Sequence, residues 1–157
     1  MMKKLLCYFS TILSIIILFT GCNNLDLLNF KSQKPSTFYY TNILLKDLSR
    51  EKSPKCIIIE TNFHKEKQLD TSSINDLTAM FKSLNEKDFI KVPKNLPDKP
   101  AYKMIISFKQ EKMLINIYSA NYISVYPWDG VYPEDYISTG KIPISLNLYN
   151  LGNYIFK

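Results

Sequence analysis

The chain is poor in the residues that most often carry chemistry. It has one histidine, His64, one arginine, Arg50, one tryptophan, Trp128, and four glycines, Gly21, Gly130, Gly140 and Gly152. A single histidine, flanked by charge in "FHKEKQ", points at water, and nothing near it in sequence supplies the rest of a Ser–His–Asp triad. Zinc sites need Cys and His at fixed spacings, which are missing, so no metal and no cofactor is expected. With so few glycines there is no Gly-rich loop to cradle a phosphate. The formal net charge of +6 comes almost entirely from Lys scattered among acids. Nucleic-acid surfaces cluster Lys and Arg on one face, so nucleic acid is not an expected partner. What the chain does have is tyrosine, 11 in 157 residues, crowded into the last third.

Cysteine is scarce as well, and its three positions say where the chain goes. Lys3 and Lys4 precede an apolar run over residues 5–20 that contains Ser10, Thr11, Ser14 and Thr20. That run is short for a bilayer span, which takes about 20 apolar residues, and it has the three-part layout of an export signal. It ends in Leu18-Phe19-Thr20-Gly21-Cys22, which resembles the bacterial lipobox, with Phe19 where that pattern usually has Leu. The resemblance implies a diacylglyceryl group on Cys22 and cleavage just before it. Two acyl chains anchor stably where one does not. Cys7 would leave with the leader, so Cys56 is the one thiol left unmodified and no internal disulfide is expected. Cys56 opens the apolar run "CIIIE" and reads as a small buried hydrophobe. The expected organisation is a signal peptide over residues 1–21, a tether over 22–36 and one domain over 37–157, held on the extracytoplasmic face of the cell membrane.

Within that domain the pattern predicts an α+β fold. A short helix is expected over residues 37–49, capped by Ser36 or Thr37, with Phe38, Thr41, Leu45 and Leu48 on one face. Residues 56–62 are β-branched and read as a buried strand, followed by a polar turn, "HKEKQLD". Ile74, Leu77, Phe81 and Leu84, with Met80 beside them, recur at helical spacing, and Ser73 with Asp76 resembles a capping box. Pro93, Pro97 and Pro100 make residues 89–100 irregular. Residues 102–109, 113–118 and 122–126 then form a three-strand antiparallel meander. A loop or hairpin over residues 127–141 leads to a last helix with Pro143 in its first turn and Ile144, Leu148, Leu151 and Ile155 in phase. A strand over "IPISLNLY" is the competing reading. The expected antiparallel sheet, the meander plus one earlier strand, packs under the amphipathic helix, with short helices at both ends.

The leader, "LPDKPAYKMIISF" and "YISVYPWDGVYPEDYI" together resemble a family of small lipoproteins of unknown function from clostridia and their relatives. The resemblance covers most of the mature chain, and its Tyr-Pro-Trp-Asp-Gly run is the most specific element. It implies a location and a fold, and no activity.

Two features of the stretch after the meander are candidates for function. Asp129, Glu134 and Asp135 are three carboxylates in one loop, and paired carboxylates can hydrolyse glycosides or, with more oxygens, hold calcium. Turn chemistry already explains Asp129-Gly130 and leaves Glu134 and Asp135 solvated, which is the favoured reading. Tyr126, Trp128, Tyr132 and Tyr136 are the better lead, because Tyr and Trp combine flat apolar faces with a polar tip. With Asp129 they are the expected ligand-binding set, facing an envelope protein or a glycan, or else packed back to plug the end of the sheet. The expected role is a non-catalytic binding or structural module. An envelope hydrolase and an inhibitor or immunity-type partner are the alternatives.

Overall fold

The computed structural model describes residues 33–157. The expected leader, Cys22 and most of the expected tether lie outside the described residues. The compact unit begins at Lys34, inside the stretch read as tether.

In chain order the elements are α1 (Tyr39–Arg50), β1 (Lys55–Glu60), β2 (Lys65–Gln68), α2 (Thr71–Lys82), β3 (Phe89–Ile90), β4 (Tyr102–Ser107), β5 (Lys112–Ile117), β6 (Tyr122–Pro127), β7 (Asp135–Ser138) and α3 (Leu148–Ile155). The strands make one antiparallel sheet in the order β2-β1-β4-β5-β6-β7-β3. The fold is therefore α+β with an antiparallel sheet, as the pattern predicts. The meander is present as β4, β5 and β6, and the sheet is wider than expected by β2, β3 and β7.

Alternation along the strands sorts side chains to two faces. On the inner face, Ile58, Met104, Ile115 and Val125 stand directly opposite one another in a row, and Asp135 ends that row. A second row runs Tyr102, Ile117, Ile123, Ile137 and Phe89. These rows form one core with Tyr40, Leu44 and Leu48 of α1, Ile74, Leu77, Met80 and Phe81 of α2 and Leu148 of α3. Among the described residues, the apolar faces of all three helices go to this side of the sheet. Cys56 is in that core, as expected, and burial pushes its thiol up to about 12.

Several local expectations shift. Residues 65–68 are a strand rather than a turn: β2 pairs with β1, and its four side chains are all exposed. Such a strand has no apolar alternation to reveal it. Glu60, at the end of β1, accepts from the N–H groups of Asn62 and Phe63 at 3.1 and 2.7 Å and shapes the hairpin. His64 takes the left-handed conformation there, φ 54°, with an exposed ring. The cap of α2 is Asp70, whose carboxylate accepts from Ser73 N–H at 2.8 Å, so the Ser73–Asp76 box is not the one used. Neither Ser36 nor Thr37 caps α1; the residue before it is Phe38, whose side chain makes no capping bond. The buried stripe of α1 is Tyr40, Thr41, Leu44 and Leu48: Thr41 and Leu48 are as expected, while Leu44 stands in for Leu45 and Tyr40 for Phe38, which precedes the helix. Residues 144–146 form a 3-10 turn and 148–155 an α-helix, which removes the strand reading. Pro143 precedes a single 3-10 turn, Ile144–Leu146, in which Ile144 is 81% exposed, and α3 proper starts after Asn147, which accepts from Tyr149 N–H at 3.1 Å.

Candidate functional site

The stretch from Tyr122 to Ser138 holds every expected ligand-binding residue and loop carboxylate, and strand geometry separates them. Tyr126 lies on the outer face, directly opposite Leu114. Tyr136 lies on the same face, opposite Ser124, which is opposite Asn116. The outer face thus carries a row Ile59, Lys103, Asn116, Ser124, Tyr136 and Ile90, beside a second row Ile57, Ile105, Leu114 and Tyr126. Half of those residues are aliphatic, and the rest are two tyrosines with Lys103, Asn116 and Ser124.

Tyr118, at the end of β5, joins Tyr126 and Tyr136, and it was not among the expected residues. Its N–H donates to Tyr122 O at 3.0 Å, which extends the β5–β6 ladder and brings it over the cluster. Burial raises the Tyr118 hydroxyl, opposed by the side chains of Ser124 and Asn116, and the Glu134 carboxylate raises it further. The same two causes, burial first and then Glu134, push Tyr136 up to about 12. Burial also raises Tyr126, with the Asn116 amide opposing and Glu134 adding to the rise. Asn116 Nδ2 reaches the Tyr126 hydroxyl at 3.5 Å, a long contact. Ser124 and Asn116 are 0% and 6% exposed; Ser124 Oγ, Asn116 Oδ1 and Glu134 Oε2 are buried without a hydrogen bond of ordinary geometry, although the Ser124 and Asn116 side chains both reach the Tyr118 hydroxyl. Native proteins pair nearly all such atoms.

The other expected residues go elsewhere. Tyr132 turns to the helix side. Its ring meets Tyr39 edge-on at 5.5 Å, its N–H donates to the Tyr40 hydroxyl at 2.7 Å, and its carbonyl accepts from that hydroxyl at 3.2 Å. Trp128 and Asp129 stand on the exposed turn after β6, where Trp128 is 66% exposed. Asp135 corrects the expectation of a solvated acid: it is fully buried on the inner face. Its Oδ2 accepts from Thr41 N–H at 2.7 Å and its Oδ1 lies 2.5 Å from Lys34 Nζ. A carboxylate at the start of a helix meets unpaired N–H groups and the positive end of the helix dipole. Asp135 thus serves α1 in the way that a local cap would, from 94 residues away.

The three carboxylates therefore sit in three surroundings: Glu134 among the tyrosines, Asp135 under α1, and Asp129 near Glu111. Glu111 is held up to about 7, by burial first, then by the proton it shares with Asp47 and by the charges of Asp47 and Asp129. Asp47 and Glu111 line a cavity of about 210 Å³ together with Arg50 and Phe108. Among the described residues, no group of three or more His, Cys, Asp or Glu is placed to hold a metal ion.

The molecule is thus an α+β domain with one helix-covered and one tyrosine-bearing sheet face. The chain belongs to the family described as "Domain of unknown function (DUF4883)", which matches residues 34–152. It is similar to a crystal structure described as "Putative Lipoprotein from Clostridium perfringens", at 34% identity and a TM-score of 0.70, over 79% of this chain and 98% of that one. No curated protein matches it. The resemblance read from the sequence, to clostridial lipoproteins of unknown function, agrees with both findings.

Proposed function

We propose that this chain is a membrane-anchored extracytoplasmic lipoprotein, lipidated on Cys22, whose domain binds a ligand or partner without catalysis through the outer face of its sheet. The observation that carries the binding reading is the Tyr118–Tyr126–Tyr136 cluster, three tyrosines gathered over Asn116 and Ser124 on the sheet face away from the helices. The lipoprotein reading is supported by the lipobox-like ending of the leader and by the description of the similar clostridial structure.

A photo-crosslinking residue placed at Tyr136 on intact cells tests this. The expected product is a discrete adduct, protein or glycan, that disappears when Tyr126 is also changed to Ala. No adduct, or an adduct indifferent to Tyr126, would remove the binding reading. The envelope-hydrolase alternative has one observation in its favour: Glu111 keeps a proton near neutrality beside Asp47 and Asp129, at a cavity lined also by Arg50. Release of product from cell-wall material, lost in Glu111→Gln, would favour it over the binding reading.

A further inference from the structure

The loop between β6 and β7 carries two exposed apolar side chains, Trp128 at 66% and Val131 at 86% exposure. Its far end is tied to the start of the folded unit. Lys34 Nζ donates to Pro133 O at 2.8 Å and to Glu134 O at 3.1 Å, and pairs with Asp135 at 2.5 Å. The middle of the loop is held by the Tyr40 hydroxyl through both backbone groups of Tyr132. Close by, Lys91 and Val92, the latter 61% exposed, border a cavity of about 590 Å³ with Lys34, Pro133 and Glu134. The tip carrying Trp128 and Val131, and the Lys91–Val92 pair, thus flank the point where the chain enters the domain.

The position of that entry point names the occupant. Cys22 precedes Lys34 by twelve residues. At about 3.3–3.6 Å per residue, a lipid on Cys22 would keep Lys34 within about 40 Å of the bilayer. Covalent linkage raises the effective concentration of membrane at the domain edge, so even a weak second contact is populated. Tryptophan favours the headgroup level, and the exposed Lys91, which lines the cavity at the loop's far end, favours anionic lipid.

Resting on the anchored reading above, we propose that the Trp128–Val131 tip is a second membrane contact, seated in the headgroup region of the bilayer that holds the Cys22 lipid. Trp128 is the chain's one tryptophan, so its emission reports on this loop alone. The experiment uses the native lipidated protein, its mass verified, in vesicles of phosphatidylcholine and phosphatidylglycerol with and without brominated acyl chains. Brominated lipid is expected to lower Trp128 emission about twofold, and iodide to quench it about half as well as in the soluble Cys22→Ala form. Val131→Asp, checked for folding by circular dichroism, is expected to restore iodide access while the protein stays anchored. Lipidated, vesicle-bound protein with no quenching by bromine overturns the contact and leaves the anchored reading standing. Shielding from iodide without bromine quenching, as a protein partner would give, overturns it too. Native protein without lipid on Cys22 removes the anchored reading and this proposal with it.

Discussion

Asp135 shows how much one side chain can be asked to do. It ends an otherwise apolar inner row, beside Val125, and meets α1 at Thr41 N–H and Lys34 across the chain. Removing one partner of a buried pair costs more than the pair is worth, because the remaining charge is stranded. The Lys34 side chain is 16% exposed and the Asp135 side chain 0%, so the two ends of the pair are not equivalent. Lys34→Met strands the buried carboxylate and is expected to destabilise by about 3 kcal/mol, whereas Asp135→Asn leaves a lysine that can turn to water and is expected to cost about 2 kcal/mol. Urea unfolding of both variants checks the order, and equal or negligible losses would contradict this account. None of this is visible locally. Glu134 and Asp135 are neighbours of like charge in sequence, yet Glu134, just before β7, lies near the outer-face tyrosines and Asp135, the first residue of β7, lies under α1. Tyr118 is hidden from a local reading for a related reason: its place in the cluster depends on the β5–β6 register, not on its own neighbours.

At the scale of the element, α3 illustrates competition between propensity and packing. Glycine inside a helix is about 1 kcal/mol less favourable than alanine, so Gly152→Ala should stabilise an isolated α3. Here a Cβ on Gly152 would stand 2.6 Å from ring carbons of Tyr102. That ring is held in place: it stacks on Phe156 at 5.9 Å, meets Tyr149 at 5.7 Å, and its hydroxyl donates to Asn153 Oδ1 at 2.8 Å. Overpacking typically costs about 1–3 kcal/mol, so the net expectation for Gly152→Ala is a loss of stability, read as a lower thermal midpoint. The helices and the meander were legible because apolar residues repeat at 3.6 and 2 along them. β2 was not, because all four of its side chains face water and it exists by pairing with β1. β7 was folded into a loop reading because four residues between Pro133 and Gly140 carry too little alternation to stand out.

For the whole molecule, the Asp47–Glu111 pair makes stability depend on pH. In the folded chain Glu111 keeps its proton up to about pH 7, whereas the unfolded chain releases it near the ordinary 4.5. Between those values the folded state binds more protons, so stability falls as pH rises. Glu111→Gln is expected to flatten that slope between about pH 4.5 and 7 relative to the parent chain; denaturant titrations at pH 5 and pH 7.5 measure it. An unchanged slope would place the titrating group elsewhere. The molecule also separates its surfaces: helices cover one sheet face, tyrosines and aliphatics lie on the other, and the exposed loop and chain entry share an edge. No helix among the described residues is long and apolar enough to cross a membrane.

Taken alone, the order of residues determined the α+β class, the meander and the burial of Cys56, since each rests on patterns within a few turns of chain. Only the tertiary structure decided that Tyr126 and Tyr136 join Tyr118 while Tyr132 packs against Tyr39 and Tyr40, and that Asp135 serves a helix 94 residues before it. Those outcomes depend on strand register and on which face a residue takes. A shift of one position would reverse them, and long-range pairing, not local sequence, sets that position.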